Sequence, residues 1–372
     1  MSEYRINWLE LEQFRSYTHS ALSFGTPTFI VGRNASGKSN LLDALELISE
    51  LAVGPAGPSF DRRGGIGALR YRGVSRGRPP TLSLKVEVTS PTDWGVYGAS
   101  LRPAKGSRYA VESEIIESHS SGELRSIVRR GTKIRASTNG FEPRLTEEAL
   151  FLPLASGVEE FSRIVEALAN IGIYSIEPLK MKDAQLPEEG RRLRRDGSNS
   201  ASVVRDMHAT KRWSILLEFL QPAVPQVEDV EIKREGAKLS LQFRQRTEGG
   251  GTVLLPGFQA SDGTLRILGI LLALLQRPAP TLVALEEPEA HVHPGAIGVL
   301  LDAIKYASAE TQVVVTTQSP DLLDAEWLRP EDVRIVEWEG SSSKIKVLDE
   351  GTTEVLRRHL RTPGELLRSG AL

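Results

Sequence analysis

An α/β fold with a mainly parallel central sheet, carrying an antiparallel β meander and a helical insertion, is what this sequence predicts. Three observations carry that expectation. The stretch Gly32 to Ser39 has the spacing G-x-x-x-x-G-K-S, preceded by the apolar run Phe29-Ile-Val31 and followed by Leu41, Leu42, Leu45, Ile48 and Leu51 at helical spacing. Two further short apolar runs, Thr281 to Leu285 and Gln312 to Thr316, read as strands buried on both faces. Helical segments lie between them, which is the alternation of a parallel sheet with its ligand at the carboxyl ends of the strands.

Taken in order, Tyr4 to Phe14 reads as a strand with one irregularity, because Leu9 and Leu11 fall out of phase with Ile6 and Trp8. The phosphate-loop helix stops at Gly54-Pro55, and Val53 to Pro80, rich in Gly, Pro and Arg, reads as a loop. Leu82 to Val88 alternates as a half-exposed strand, and Tyr109 to Ile116 and Ser126 to Ala136 continue a meander that pivots at Gly131. From about Leu145 to Ala169 the pattern is helical, Gly172 to Ile176 is a short strand, and helices follow near Ser200–Met207 and Lys211–Leu220. Val230 to Phe243 is a hairpin turning at Gly236. Ser261-Asp-Gly-Thr264 opens an apolar helix to Leu275, a helix with Ile297, Leu300, Leu301 and Ile304 separates the two buried strands, and Val333–Glu337 with Lys344–Leu348 makes an edge hairpin. The expected lobes are 1–144, with the phosphate loop and meander, 145–225, a helical insertion, and 226–372, completing the nucleotide-binding sheet.

The 372 residues allow a large buried core, and a net charge of −2 argues against a uniformly basic surface. Any polyanion site must therefore be local, and arginine groups at 62–78, 129–135 and 191–195 are the candidates for tracking DNA phosphates. With no cysteine, disulfides, zinc ribbons and thiol catalysis are excluded. There is no apolar run long enough for a membrane span and no signal core, so the expected location is cytoplasmic, without a membrane partner.

The chemistry begins at the loop. Exposed backbone N–H groups from Gly32, Arg33, Asn34, Ala35, Ser36 and Gly37 through Asn40 would cradle the phosphates of a nucleoside triphosphate. Lys38 would reach the β/γ oxygens and the Ser39 hydroxyl would hold Mg²⁺. Thr281 to Leu285 runs into Glu286-Glu-Pro-Glu289, so Glu286 is assigned to the metal and Glu287 to orienting or deprotonating the attacking water. Ser261 and Gly263 open an apolar helix and make a candidate anion site, though Ser before such a helix is commonly an ordinary cap.

The order Phe14-Arg-Ser16, G-R-N-A-S-G-K-S, S-D-G-T, L-V-A-L-E-E-P-E-A-H-V-H-P and T-T-Q-S-P resembles the ABC-type ATPase heads of the RecF, SMC and OLD group, closest to compact RecF-like AAA ATPases. The resemblance spans about Tyr4 to Leu372. It implies a P-loop NTPase fold of ABC-ATPase type that binds ATP and Mg²⁺ and hydrolyses ATP. It further implies that Ser261 and Gly263 complete the nucleotide site of the opposite subunit in a homodimer formed through ATP. Ala290 to His293 would touch that partner. Gln318 would stand where many relatives carry a switch histidine, and Arg15 and Asn34 would contact nucleotide. The glutamine loop falls to Glu177 or Gln185. The long coiled coil of SMC proteins is missing, and with no Asp-x-Asp in the chain, nuclease activity would reside in a separately encoded partner. The expected role is DNA repair or phage defence, acting on double-stranded DNA or a partner effector. A low-turnover ATP-binding scaffold controlling a nuclease or toxin, and a transporter's nucleotide-binding subunit, are the rivals.

Overall fold

The computed structural model describes residues 4–73, 81–104, 108–138, 140, 142–189 and 192–370. β1 (Arg5–Phe14) and β2 (Tyr17–Ser23) form a hairpin that turns at Arg15 and Ser16. The expected irregularity in the first strand is a register shift between Ile6 and Trp8, which lets Ile6, Leu9 and Leu11 all face the core. β3 (Thr28–Val31) enters the phosphate loop, and α1 (Lys38–Val53) leaves it. The stretch expected as a loop folds instead into α2 (Ala56–Asp61) and α3 (Ile66–Leu69), because Phe60, Ile66 and Leu69 supply enough apolar surface to bury. Residues 74–80 of that stretch lie outside the described ones.

β4 (Leu82–Thr89), β5 (Trp94–Pro103), β6 (Tyr109–Ser120), β7 (Glu123–Arg130) and β8 (Lys133–Ser137) follow as an antiparallel meander. Joined to the first hairpin they make a seven-stranded sheet in the order β2-β1-β4-β5-β6-β7-β8. β5 was not expected, since its glycines dilute the apolar pattern. Gly95 has a packing reason: a Cβ there would collide with Ile164, on the helix that covers this strand.

The expected insertion, 145–225, is shared between two cores. α4 (Leu152–Ala155) and α5 (Glu159–Ala169) pack with α1 and the meander, and β9 (Ile171–Tyr174) enters the central sheet. α6 (Pro178–Lys182), α7 (Ser200–His208) and α8 (Lys211–Ala223) pack on the opposite side. The hairpin of β10 (Val227–Glu235) and β11 (Lys238–Arg246) gains a third strand, β12 (Thr252–Pro256).

The last third alternates as expected: α9 (Asp262–Leu275), β13 (Leu282–Glu286), α10 (Ile297–Ser308), β14 (Gln312–Thr317), β15 (Val333–Glu339) and β16 (Ser342–Lys346), then two terminal helices, α11 (Glu350–Arg357) and α12 (Pro363–Arg368). The six-stranded central sheet runs β16-β15-β3-β14-β13-β9, and only β16 is antiparallel to its neighbour. Alternation along its strands divides the core. Ile30, Leu282, Ala284 and Val314 face α1, whereas Phe29, Val283, Leu285 and Val315 face α9 and α10. Burial on both faces is why these strands read as continuous apolar runs. Each fully buried Leu or Ile side chain of α1 contributes roughly 1.5–3 kcal/mol. That burial anchors the helix whose first turn forms half of the candidate site.

Candidate nucleotide site

The phosphate loop is shaped by what surrounds its two glycines. A Cβ on Gly32 would collide with the Val336 carbonyl and approach Ser36 Oγ at 2.7 Å, and one on Gly37, whose φ is +120°, would collide with Ser343 and approach Ser16 Oγ at 2.9 Å. Only glycine fits either position. The loop is also tied from outside. Tyr17 OH donates to Gly37 O at 2.9 Å, Ser343 Oγ donates to Ser36 O and is hydrogen-bonded to Ser16 Oγ at 2.7 Å, and Asn40 Nδ2 donates to Ser16 Oγ at 2.8 Å. Burial pushes the Tyr17 phenol well above its ordinary range, which keeps it a neutral donor. Ser16 and Tyr17 thus support the loop from behind.

Lys38, almost wholly buried, folds back over the loop it follows. Its Nζ donates to Gly32 O at 2.7 Å and Arg33 O at 3.2 Å, and lies 3.6 Å from Glu287 Oε1. Arg33, Asn34, Ala35 and Ser39 are exposed at the loop surface, while Ser36 is buried and its Oγ has no hydrogen-bond partner among the described residues. Beside the loop a cavity of about 460 Å³ is lined by Gly32, Arg33, Asn34, Ser36, Val336 and Trp338, a size suited to a small ligand.

Opposite the lysine stand the acidic residues. Glu286 ends β13, and its carboxylate accepts from Arg195 at 3.0 Å, while Arg195 also pairs with Glu46. Glu287 has φ +42°, uncommon for a non-glycine residue, and its amide donates to Thr316 O at 3.0 Å. A third carboxylate, absent from the sequence-based site, belongs here: Glu289 Oε1 accepts from Thr317 Oγ1 at 2.6 Å and from the Gln318 amide at 3.4 Å. Burial pushes the Glu289 carboxyl up, against the pull of the Thr317 hydroxyl. Its spacing in Glu286-Glu-Pro-Glu289 was the available signal. Gln318 itself is exposed just past the end of β14.

The other candidates are placed as follows. Ser261 caps α9, its Oγ accepting from the Thr264 amide at 3.1 Å, and a Cβ on Gly263 would lie 3.0 Å from the His291 carbonyl. No hydrogen bond among the described residues joins Ser261 or Gly263 to the phosphate loop of the same chain. Arg15 pairs with Asp43 at 2.7 Å, on the face of α1 that also holds Arg63. Glu177 follows β9, the neighbour of β13, whereas Gln185 is buried, donating to Ser200 Oγ at 3.1 Å and accepting from the Ala201 amide at 2.8 Å. Of the two glutamine-loop candidates, only Glu177 lies just past the carboxyl end of a central strand.

Acidic partners neutralise several of the arginine groups' members, whereas Arg72, Arg130 and Arg135 are exposed. Arg63 is held by Asp43, Glu46 and Glu50, Arg129 is buried against Glu114, and Arg194 and Arg195 pair with Glu188, Glu46 and Glu286. Arg76, Arg78 and Arg191 lie outside the described residues. Nor do His291 and His293 gather with Glu287 and Glu289. His293 Nδ1 accepts from the Gly295 amide at 3.0 Å, and the one close group of three ligating side chains among the described residues is Glu10, Glu12 and His19, on the β1–β2 hairpin.

The residues present suit a Mg²⁺-nucleotide. The cradle has room only for backbone, Ser36 Oγ is an unused buried hydroxyl, and Ser39 and Glu286 are hard oxygen donors of the kind Mg²⁺ takes. Lys38→Ala should lower the affinity for Mg-ATP by about 10- to 100-fold, the worth of a hydrogen bond to a charged group. Isothermal titration of the purified variant checks it. Unchanged affinity would place the phosphates elsewhere.

A family model described as "AAA domain, putative AbiEii toxin, Type IV TA system" matches residues 28–324. Curated relatives match over short stretches. "DNA replication and repair protein RecF" of Cyanothece sp. (strain PCC 7425 / ATCC 29141) is 52% identical over 44 residues, 12% of either chain, and that of Synechococcus sp. (strain JA-3-3Ab) is 45% identical over 53 residues, 14% of either chain. The chain therefore matches only about an eighth of the length of these relatives. Among solved structures, an Smc head bound to the C-winged helix domain of ScpA superposes with TM-score 0.60 at 17% identity, over 94% of this chain and 99% of that one. The Pyrococcus furiosus Smc head domain with an extended coiled coil, bound to the C-terminal domain of ScpA, gives 0.60 at 14% identity, over 96% of this chain and all of the other. Among the described residues no helix is long and apolar enough to cross a membrane. The fold is a P-loop ABC-ATPase head of RecF/SMC type, and the chain belongs to the family of AAA domains described as putative AbiEii toxin, Type IV TA system.

Proposed function

We propose that the chain binds and hydrolyses ATP, and that two copies pair head to tail through the nucleotide. The observation that carries this reading is the convergence of Lys38, at the start of α1, and Glu287, just past the end of β13, 3.6 Å apart. In the proposed site the loop amides and Lys38 bind the phosphates, and Glu287 accepts the proton of the attacking water. Gln318 donates a hydrogen bond toward the terminal phosphate. Ser39 and Glu286 would hold Mg²⁺, which when bound neutralises charge on the phosphate oxygens. Pairing is supported by the exposed positions of Ser261, His291 and His293, in a loop that approaches Gly263 through His291 O. The paired form is proposed to act on duplex DNA or on a separately encoded effector, in DNA repair or phage defence.

Gln318 favours a second reading, because glutamine donates a hydrogen bond but takes no proton near neutral pH. A slow ATP-binding scaffold would use the same site to hold an effector. Steady-state ATP hydrolysis with and without linear duplex DNA, using Glu287→Gln as the blank, separates the two. Stimulation by DNA is the expected result. Turnover indifferent to DNA would favour the scaffold, and ATP binding without any turnover would overturn the hydrolytic reading.

A further inference from the structure

Arg266 lies in α9, five residues beyond the capping Ser261, and is more than nine-tenths buried. Its guanidinium reaches two backbone carbonyls that belong to different strand ends. Nη1 donates to Ile176 O at 2.7 Å, in the segment after β9, and Nη2 donates to Glu287 O at 2.8 Å, in the turn after β13. Nε is buried without a partner among the described residues, so the side chain is held for the fork and not for full satisfaction. Burial pulls its guanidinium below the ordinary range, against the opposing charges of Glu289, Glu287 and Glu286. The helix is pressed onto the same segment: a Cβ on Gly269 would lie 2.6 Å from Ile176 Cγ2.

The carbonyl that Arg266 holds belongs to a residue in the left-handed region, which persists only where its surroundings fix it. Glu287 is fixed from opposite sides: its amide donates to Thr316 O and Oγ1, and its carbonyl accepts from the Ala290 amide at 3.1 Å and from Arg266. Of these bonds, only that from Arg266 ties the carbonyl to α9, so a displacement of the N-terminal part of α9 pulls on the turn that carries the Glu287 side chain facing Lys38. We propose that Arg266 is a positioning residue that couples the helix opened by Ser261 and Gly263 to the orientation of Glu287 and to the segment leading into Glu177. The inference rests on the proposed role of Glu287 in hydrolysis.

The test uses Arg266→Met and Arg266→Lys in the full chain. Arg266→Met should lower kcat by about 10²-fold, the usual cost of misplacing a reacting group by about 1 Å, while KM and nucleotide affinity stay near the parent values. Arg266→Lys, which keeps the charge but not the fork, should recover part of the loss. Added to Glu287→Gln, Arg266→Met should cost nothing further, because the group it positions is already disabled. Independently of turnover, amide hydrogen exchange should speed up in 286–290 while α9 keeps its protection. Unchanged kcat, or exchange that rises equally through α9, β9 and β13, would overturn the proposal. If the parent chain shows no turnover, the hydrolytic reading fails, and the exchange pattern alone decides whether Arg266 holds the Glu287 turn.

Discussion

Glu287→Gln is expected to reduce steady-state ATP hydrolysis by about 10²- to 10⁴-fold, the contribution of a positioned general base, while Mg-ATP still binds. The substitution removes the acceptor charge and little else. Glutamine has nearly the same shape, is not branched at Cβ, and tolerates the φ of +42° at this turn no worse than glutamate does. The amide bond to Thr316 O and the carbonyl bond from Arg266 are made by backbone and remain. Lys38 loses a charged neighbour at 3.6 Å, but keeps the carbonyls of Gly32 and Arg33 and gains freedom to meet phosphate. Nucleotide should therefore be held as tightly as before or more so, and the variant should accumulate as a nucleotide-bound pair. Filter binding measures retention, and light scattering in saturating Mg-ATP measures the mass. Turnover equal to the parent's would move the base elsewhere, with Glu289 next to be tested. A variant that binds nucleotide but stays monomeric would remove the paired-head reading.

The parts of the fold legible in the sequence were those written in local pattern. Phe29 to Val31, Leu282 to Leu285 and Gln312 to Thr316 are buried on both faces, so their apolar runs could be read without knowing their neighbours. The Gly32–Ser39 spacing was legible because Gly32 and Gly37 are fixed by collisions that no other residue avoids. What stayed hidden depends on contacts distant in sequence. β5 carries glycine where Ile164 presses on it, 69 positions later in the chain, and the arginines near 62 and 195 read as a cationic surface until Asp43, Glu46, Glu50 and Glu286 are brought beside them. Arg266 was invisible for the same reason. In the sequence it is one cation inside an apolar helix. Its meaning comes from the carbonyls of Ile176 and Glu287, 90 and 21 residues away.

The largest stability effect is expected far from the nucleotide, in the seven-stranded sheet. Arg129 and Glu114 are both without solvent exposure, and Arg129 Nη1 lies 3.3 Å from Glu114 Oε2. Arg129 also donates to Thr146 O at 2.7 Å and to the carbonyls of Gly131 and Ala149, while Glu114 accepts from the amides of Phe151 and Leu152 and from Tyr97 OH. The pair thus staples β6 and β7 to the irregular chain that leads into α4. Arg129→Met should cost about 3–5 kcal/mol, since it leaves a buried carboxylate with its main countercharge removed and three carbonyls without a donor. Burial already pushes Glu114 from its ordinary 4.5 up to about 7, against the pull of the Phe151 and Leu152 amides and Arg129. Losing Arg129 can only push it further. A carboxyl whose folded-state pKa lies above its unfolded value binds its proton more tightly in the folded chain. The variant's unfolding free energy should therefore fall as pH rises from about 4.5 to beyond 7, and its deficit against the parent should be largest at pH 8 and smaller near pH 5. Urea unfolding at the two pH values measures this. The double variant Glu114→Gln with Arg129→Met, which removes both charges, should recover much of the loss at pH 8. If the single variant is equally destabilised at both pH values, the loss comes from the abandoned carbonyls and not from the stranded charge.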